Sequence, residues 1–254
     1  MKQNRSLVGP QRIDGLSVLY RLLLGGLGGV AGFLIIVFTL IVASSVLKNF
    51  LDDPTSSSPA AHFAILASMF ITATVSNMLA MYLITLTAQL KYVRKAEGMM
   101  QILTVNIILF LFSIAAYFLT LHREDTTFTI LIVVMHLAFS ALASVLVFEI
   151  TATKWFYPLV TVYDAIIGSF IAVIILVVAY GSMSGSAQQF TFVAVAPIIL
   201  WASLGFLGGL TEYIYYQVYK RTGVDFLRGA ETAKDDPSLE TQLDAADFDT
   251  DSEV

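Results

Sequence analysis

Residues 22–47 read LLLGGLGGVAGFLIIVFTLIVASSVL, without a single charged side chain. A helix rises about 1.5 Å per residue, so roughly 20 apolar residues cross about 30 Å of hydrocarbon. Leu22–Leu47 meets that length with residues left over for tilt. Working outward along the chain, Phe63–Leu90, Ile102–Leu121, Phe128–Ile150, Leu159–Tyr180 and Phe190–Ile214 meet it as well. A transmembrane barrel would instead show alternating segments of about ten residues. In hydrocarbon the backbone must satisfy its own hydrogen bonds, so unbroken apolar runs of this length are helices. The expected fold is all-α: a polytopic integral membrane protein built as a six-transmembrane-helix bundle.

Composition agrees. The chain is 57% hydrophobic and 13% charged, with a mean hydropathy of +0.79. Soluble domains carry about 25% charged residues. A soluble enzyme, a disordered chain and a nucleic-acid binder are all poor readings of such a balance. Cysteine is absent, which removes disulfides, thiolate metal sites and cysteine nucleophiles. The net charge of −5 divides unevenly. Residues 1–221 hold 12 basic and 9 acidic groups, whereas residues 222–254 hold 2 basic and 10 acidic.

Lys and Arg collect on the side of the membrane that faces the cytoplasm. With six spans both termini share a face, together with Lys2, Arg5, Arg12, Arg21, Lys91, Arg94, Lys95, Lys154, Lys220 and Arg221. The other face has only Lys48 and Arg123. Both termini are therefore expected in the cytoplasm, and nothing in the sequence says which membrane holds the chain. Residues 1–21 form the N-terminal segment, with a short interfacial helix expected over Pro10–Arg21. Residues 22–221 form the membrane domain, and 222–254 an acidic, disordered tail. The joints carry matching signals: Pro59 ahead of the second span, and Lys154-Trp155-Phe156-Tyr157-Pro158 ahead of the fifth.

Three charges lie inside the spans: Glu149, Asp164 and Glu212. A carboxylate in the membrane is costly and marks an ion path, a proton relay or an ion pair. Asp164 falls in the first turns of its helix, where the dipole favours an anion. Glu149 and Glu212 fall near helix C-termini, where the dipole opposes them, so Lys154, Lys220, Arg221 or a bound cation must compensate. In the second span Ser68, Thr72 and Ser76 recur every fourth residue beside Asn77. Such a stripe either glues helices together or lines a hydrophilic path. Glu149, Glu212, Asp164, Asn77, Ser76 and Thr72 are thus the candidate ion, proton or path-lining residues. Gly25, Gly28, Gly29 and Gly32, with Gly205 and Gly209, have the small-xxx-small spacing of close helix packing.

No catalytic constellation, resident cofactor or metal centre is expected. The histidines His62, His122 and His136 lack the tight spacing of a ligand set. The expected partners are the lipid bilayer, further copies or other membrane subunits, and a docking protein for the tail, whose Asp-Ser-Glu-Val ending resembles a ligand of carboxylate-capturing grooves. Nucleic acid is not among them. Function is read as a transporter, channel or permease component for a small solute or ion. The alternative is a non-catalytic structural or assembly subunit of a larger membrane complex.

Overall fold

The computed structural model describes residues 13–45, 47, 58–89, 91–120, 126–153, 158–181 and 186–222. The acidic tail, the N-terminal residues 1–12, Lys154 and His122 lie outside the described residues. Helices run Gly15–Val42 (α1), Pro59–Thr85 (α2), Lys95–Thr120 (α3), Thr126–Ala152 (α4), Pro158–Gly181 (α5) and Ser186–Thr222 (α6). Residues Ile13–Tyr213 form one compact unit. The described part of a second unit, Ile214–Thr222, is the last stretch of α6. Among the described residues every regular element is a helix, and six of them are long and apolar enough to cross a membrane.

The helices outrun the hydropathy limits at several ends. Helix α1 begins at Gly15, so the segment assigned to a separate interfacial helix continues into the first long helix without a break from that point. Helix α6 extends eight residues past Ile214. Hydropathy ends where charge begins, but backbone hydrogen bonding does not. Helix α2 ends sooner, at Thr85 rather than Leu90. There Thr85 and Thr87 donate from their hydroxyls to the carbonyls of Tyr82 and Ile84, at 2.6 and 2.7 Å. Such local bonds compete with continuation of the helix. At its other end α2 starts as expected, on Pro59, with the Ser58 hydroxyl accepting from the Ala61 amide.

Helix α1 shows how the bundle packs. Its buried face carries Arg21, Gly25, Gly28, Gly29 and Gly32, while Leu19, Leu23, Leu27, Leu34 and Phe38 stand exposed. The large apolar side chains point outward and the small residues inward, the reverse of a soluble amphipathic helix. A Cβ built on Gly25 would lie 2.3 Å from the Trp201 carbonyl oxygen, and one on Gly29 2.4 Å from that of Pro197. One on Gly28 would lie 2.4 Å from the Ala80 Cα. Helix α6 reciprocates, since a Cβ on Gly205 would sit 2.3 Å from the Arg21 carbonyl oxygen. Gly32 meets the Pro197 ring and Ser76, and Gly209 meets Val18. These glycines let α1 press its backbone against α2 on one side and α6 on the other.

Two apolar clusters fill the interior. One gathers Met81, Ile84, Tyr92, Ile102, Phe148 and Trp201, and the other Val134, Leu137, Leu176, Phe192 and Leu200.

Candidate functional site

The α2–α3 connection folds back onto the end of α4. An isolated antiparallel bridge joins Tyr92 to Thr153, and the amides of Val93 and Arg94 both donate to the Ala152 carbonyl, at 2.9 and 3.2 Å. A helix C-terminus leaves its last carbonyls without intrahelical donors, and this connection supplies them. The fold-back carries Lys91 and Tyr92 into the interior.

There Lys91 stands between two carboxylates. Its Nζ is 2.7 Å from Glu149 and 2.6 Å from Glu212. Arg21 reaches Glu212 from α1 at 2.8 Å and donates through Nε to the Thr87 hydroxyl at 3.1 Å. The Tyr92 hydroxyl donates to Glu149, and the Lys91 ammonium lies 5.1 Å from the Tyr92 ring centroid. Two cations and two anions thus tie α1, the α2–α3 connection, α4 and α6 together. Burial opposes charge on Lys91, but Glu149 and Glu212 outweigh it and hold its pKa well above the ordinary lysine value. Burial, reinforced by the Glu149 charge, pushes the Tyr92 phenol up, so it stays a hydrogen-bond donor.

Of the compensating charges expected, Lys154, Lys220, Arg221 or a bound cation, Lys154 lies outside the described residues, and the ion pairs that the structure shows come from elsewhere. Arg21 and Lys91 neutralise Glu149 and Glu212, while Lys220 and Arg221 stand exposed on the last turn of α6. The reason is geometric. Side chains close in sequence to a helix C-terminus sit on the rim, whereas Arg21 and Lys91 enter from neighbouring segments and point inward. In the sequence alone both stand only as topology markers. A signal for Arg21 was nonetheless present: it stands four residues before Gly25 and seven before Gly28, on the packing face.

Asp164 belongs to the same region. It accepts a hydrogen bond from Thr211 and lines a cavity of about 40 Å³ with Arg21, Tyr92, Glu149, Thr161 and Glu212. That volume holds roughly three waters. Gly208, whose added Cβ would be 4.0 Å from the Asp164 carboxylate, leaves the space open.

The polar stripe of α2 forms a second, uncharged group. Asn77 donates to the Asn106 side chain at 3.0 Å and accepts from the Trp201 indole at 3.0 Å. Asn106 in turn donates to the Ile102 carbonyl at 2.9 Å and to the Ser144 hydroxyl at 3.3 Å. One residue from each of α2, α3, α4 and α6 meets in this layer, and all four are buried. Thr72 and Ser76 are buried beside it, with hydroxyls that have no partner. Ser68 is half-buried on the same face.

The histidines are engaged elsewhere: His62 with the Tyr117 hydroxyl and His136 with the Ser113 hydroxyl, both at 2.8 Å. Comparison with protein families, with curated proteins and with solved structures finds no match for this chain.

Proposed function

We propose that the chain is a six-span membrane component of the transporter, channel or permease class, for a small solute or ion, held here with its path closed. The supporting observation is the arrangement along the length of α2, with one cavity on each side of it. One pocket reaches down to Thr72 and a second cavity begins at Met81, about 14 Å further along the helix. Between them lie Ser76, packed near Gly32, the Asn77 layer, and Ala80 against Gly28. Separate cavities with the polar Asn77 layer between them support a path that is closed at that layer. Pro197 of α6 stands at the plug and cannot donate the helix bond to the Val193 carbonyl. By the excess of Lys and Arg, the end holding Lys91 and Glu212 faces the cytoplasm, and both termini lie there.

The chain has no cysteine, so single-cysteine variants at Ser68, Thr72, Asn77 and Met81 test the reading cleanly. Reconstituted into proteoliposomes, the protein should pass small neutral solutes or monovalent cations. A thiol reagent should block that flux in the Asn77→Cys variant. Absence of flux for every solute class from well-assembled protein removes the transport reading.

A second reading is a structural or assembly subunit of a larger membrane complex. It is favoured by the mutual neutralisation of Arg21, Lys91, Glu149 and Glu212, which makes this cluster a clamp between helices. Constant co-purification of another membrane protein, combined with absent flux, would support it.

A further inference from the structure

The pocket that ends at Thr72 has a chemistry of its own. It measures about 80 Å³, is half-enclosed, and lies between α1, α2, α4 and α6. Its walls are aliphatic, with Leu40, Met69 and Val133 among them, and among the described residues no charged one lines it. Thr39, Ser68, Thr72 and Thr129 add hydroxyls to the lining. The Thr39 proton is spent on the Ile35 carbonyl at 2.9 Å.

Thr72 differs. It is completely buried, yet its Oγ1 has no hydrogen-bond partner. A helical threonine ordinarily donates to the carbonyl one turn back, and this one leaves its bond unmade inside an apolar wall. A buried hydroxyl in that condition is a standing cost that a ligand oxygen would remove. Apart from the hydroxyls of Thr39, Ser68, Thr72 and Thr129 the described lining is aliphatic, which suits a mostly apolar molecule better than a cluster of waters. What fits is a hydrocarbon body carrying one hydrogen-bonding oxygen. Such molecules concentrate in hydrocarbon, and the pocket lies on helices of membrane-spanning length.

We propose that this pocket binds a neutral amphiphile with a single hydroxyl or carbonyl oxygen, placing that oxygen on Thr72 and its hydrocarbon along Leu40, Met69 and Val133. The proposal rests on membrane residence and not on transport, so it stands whether or not the bundle carries solute.

The test uses the full chain in phospholipid nanodiscs and a photoreactive octanol bearing a diazirine on its chain. After irradiation, the insertion sites are mapped by proteolysis and mass spectrometry. Saturable insertion within residues 65–72 or 129–137 is expected. Octanol should compete for it, and octane at equal membrane concentration should compete about fivefold less well, the difference that one neutral hydrogen bond makes. Thr72→Val keeps the shape and removes only an unpaired hydroxyl, so the variant should fold and unfold at an unchanged or higher temperature. It should abolish the preference for octanol over octane. Val133→Phe, which fills the pocket and leaves the hydroxyl, should suppress insertion there altogether. Insertion spread evenly over outward-facing positions such as Leu34 and Phe38 would overturn the proposal. So would equal competition by octane in the unaltered protein, or a Thr72→Val variant that retains the preference.

Discussion

Two of the polar ties between the helices use different chemistry. One is the ionic cluster of Arg21, Lys91, Glu149 and Glu212, with Tyr92 on its flank. The other is the neutral layer of Asn77, Asn106, Ser144 and Trp201. Position explains the choice. The Glu212 side chain is still 18% exposed, whereas Asn77 is 2% exposed and Asn106 not at all. Near the helix ends, residual hydration lowers the cost of bringing charges together. In the middle of the apolar spans that cost exceeds what pairing returns, so amides, a hydroxyl and an indole take over. The ionic tie also has a small cavity beside it, and Asn77 lines neither of the two cavities described. The charged end has room to rearrange; the neutral layer is packed.

That contrast can be broken or sharpened by experiment. The largest effect is expected from neither tie but from the contact that allows both. Gly28→Leu would drive a side chain into the Ala80 backbone, which has no cheap way to move. The variant should fail to give a monodisperse peak on size-exclusion chromatography. Gly26→Ala, whose nearest neighbour is 3.8 Å away, should behave as the unaltered protein.

Next comes Lys91→Met, which leaves Glu149 and Glu212 facing each other with Arg21 as their sole strong counter-charge among the described residues. Breaking one partner out of a buried ion pair costs about 3–5 kcal/mol. Thermal unfolding in detergent should show that loss, and adding Glu149→Gln should restore part of it. Asn77→Leu should cost less, about 1–2 kcal/mol, because interhelical hydrogen bonds between neutral groups in membranes are individually modest. If Asn77→Leu proves more damaging than Lys91→Met in the same assay, the ranking of the two ties is reversed.

The smallest expected effect is a null one with a definite sign. Lys91 has a raised pKa in the folded protein. Its contribution is therefore complete below the ordinary lysine value of about 10.4, and is lost only as pH rises through the folded pKa. The stability gap between the unaltered protein and Lys91→Met should stay constant from neutral pH to about pH 10. A gap that shrinks between neutrality and pH 9 would mean that Lys91 is not held as an ammonium between the carboxylates.

How much of this was legible in the residues depends on whether the signal is local. The glycine stripe of α1 was, because small-xxx-small spacing puts its members on one helix face regardless of what they meet. Arg21 extends that stripe by one turn and was readable on the same ground. Asn77 was legible as a polar residue in need of a partner, but Asn106 and Trp201 were not legible as the partners, being separated from it by 29 and 124 residues. Lys91 was the hardest. It lies in a connection between helices, where a cation ordinarily marks the rim, and only the bridge between Tyr92 and Thr153 turns it inward.

Length, apolar runs and charge placement determined by themselves that this chain makes six long helices, which positions cannot be polar without a partner, and which faces are small enough for close approach. Those are properties of a helix and its solvent, and each helix expresses them alone. Which cation neutralises Glu149 and Glu212, which groups answer Asn77, and where voids remain beside Asp164 and Thr72 were decided only by the tertiary structure. Pairing and packing depend on distances between residues far apart in the chain, and no spacing along one helix encodes them.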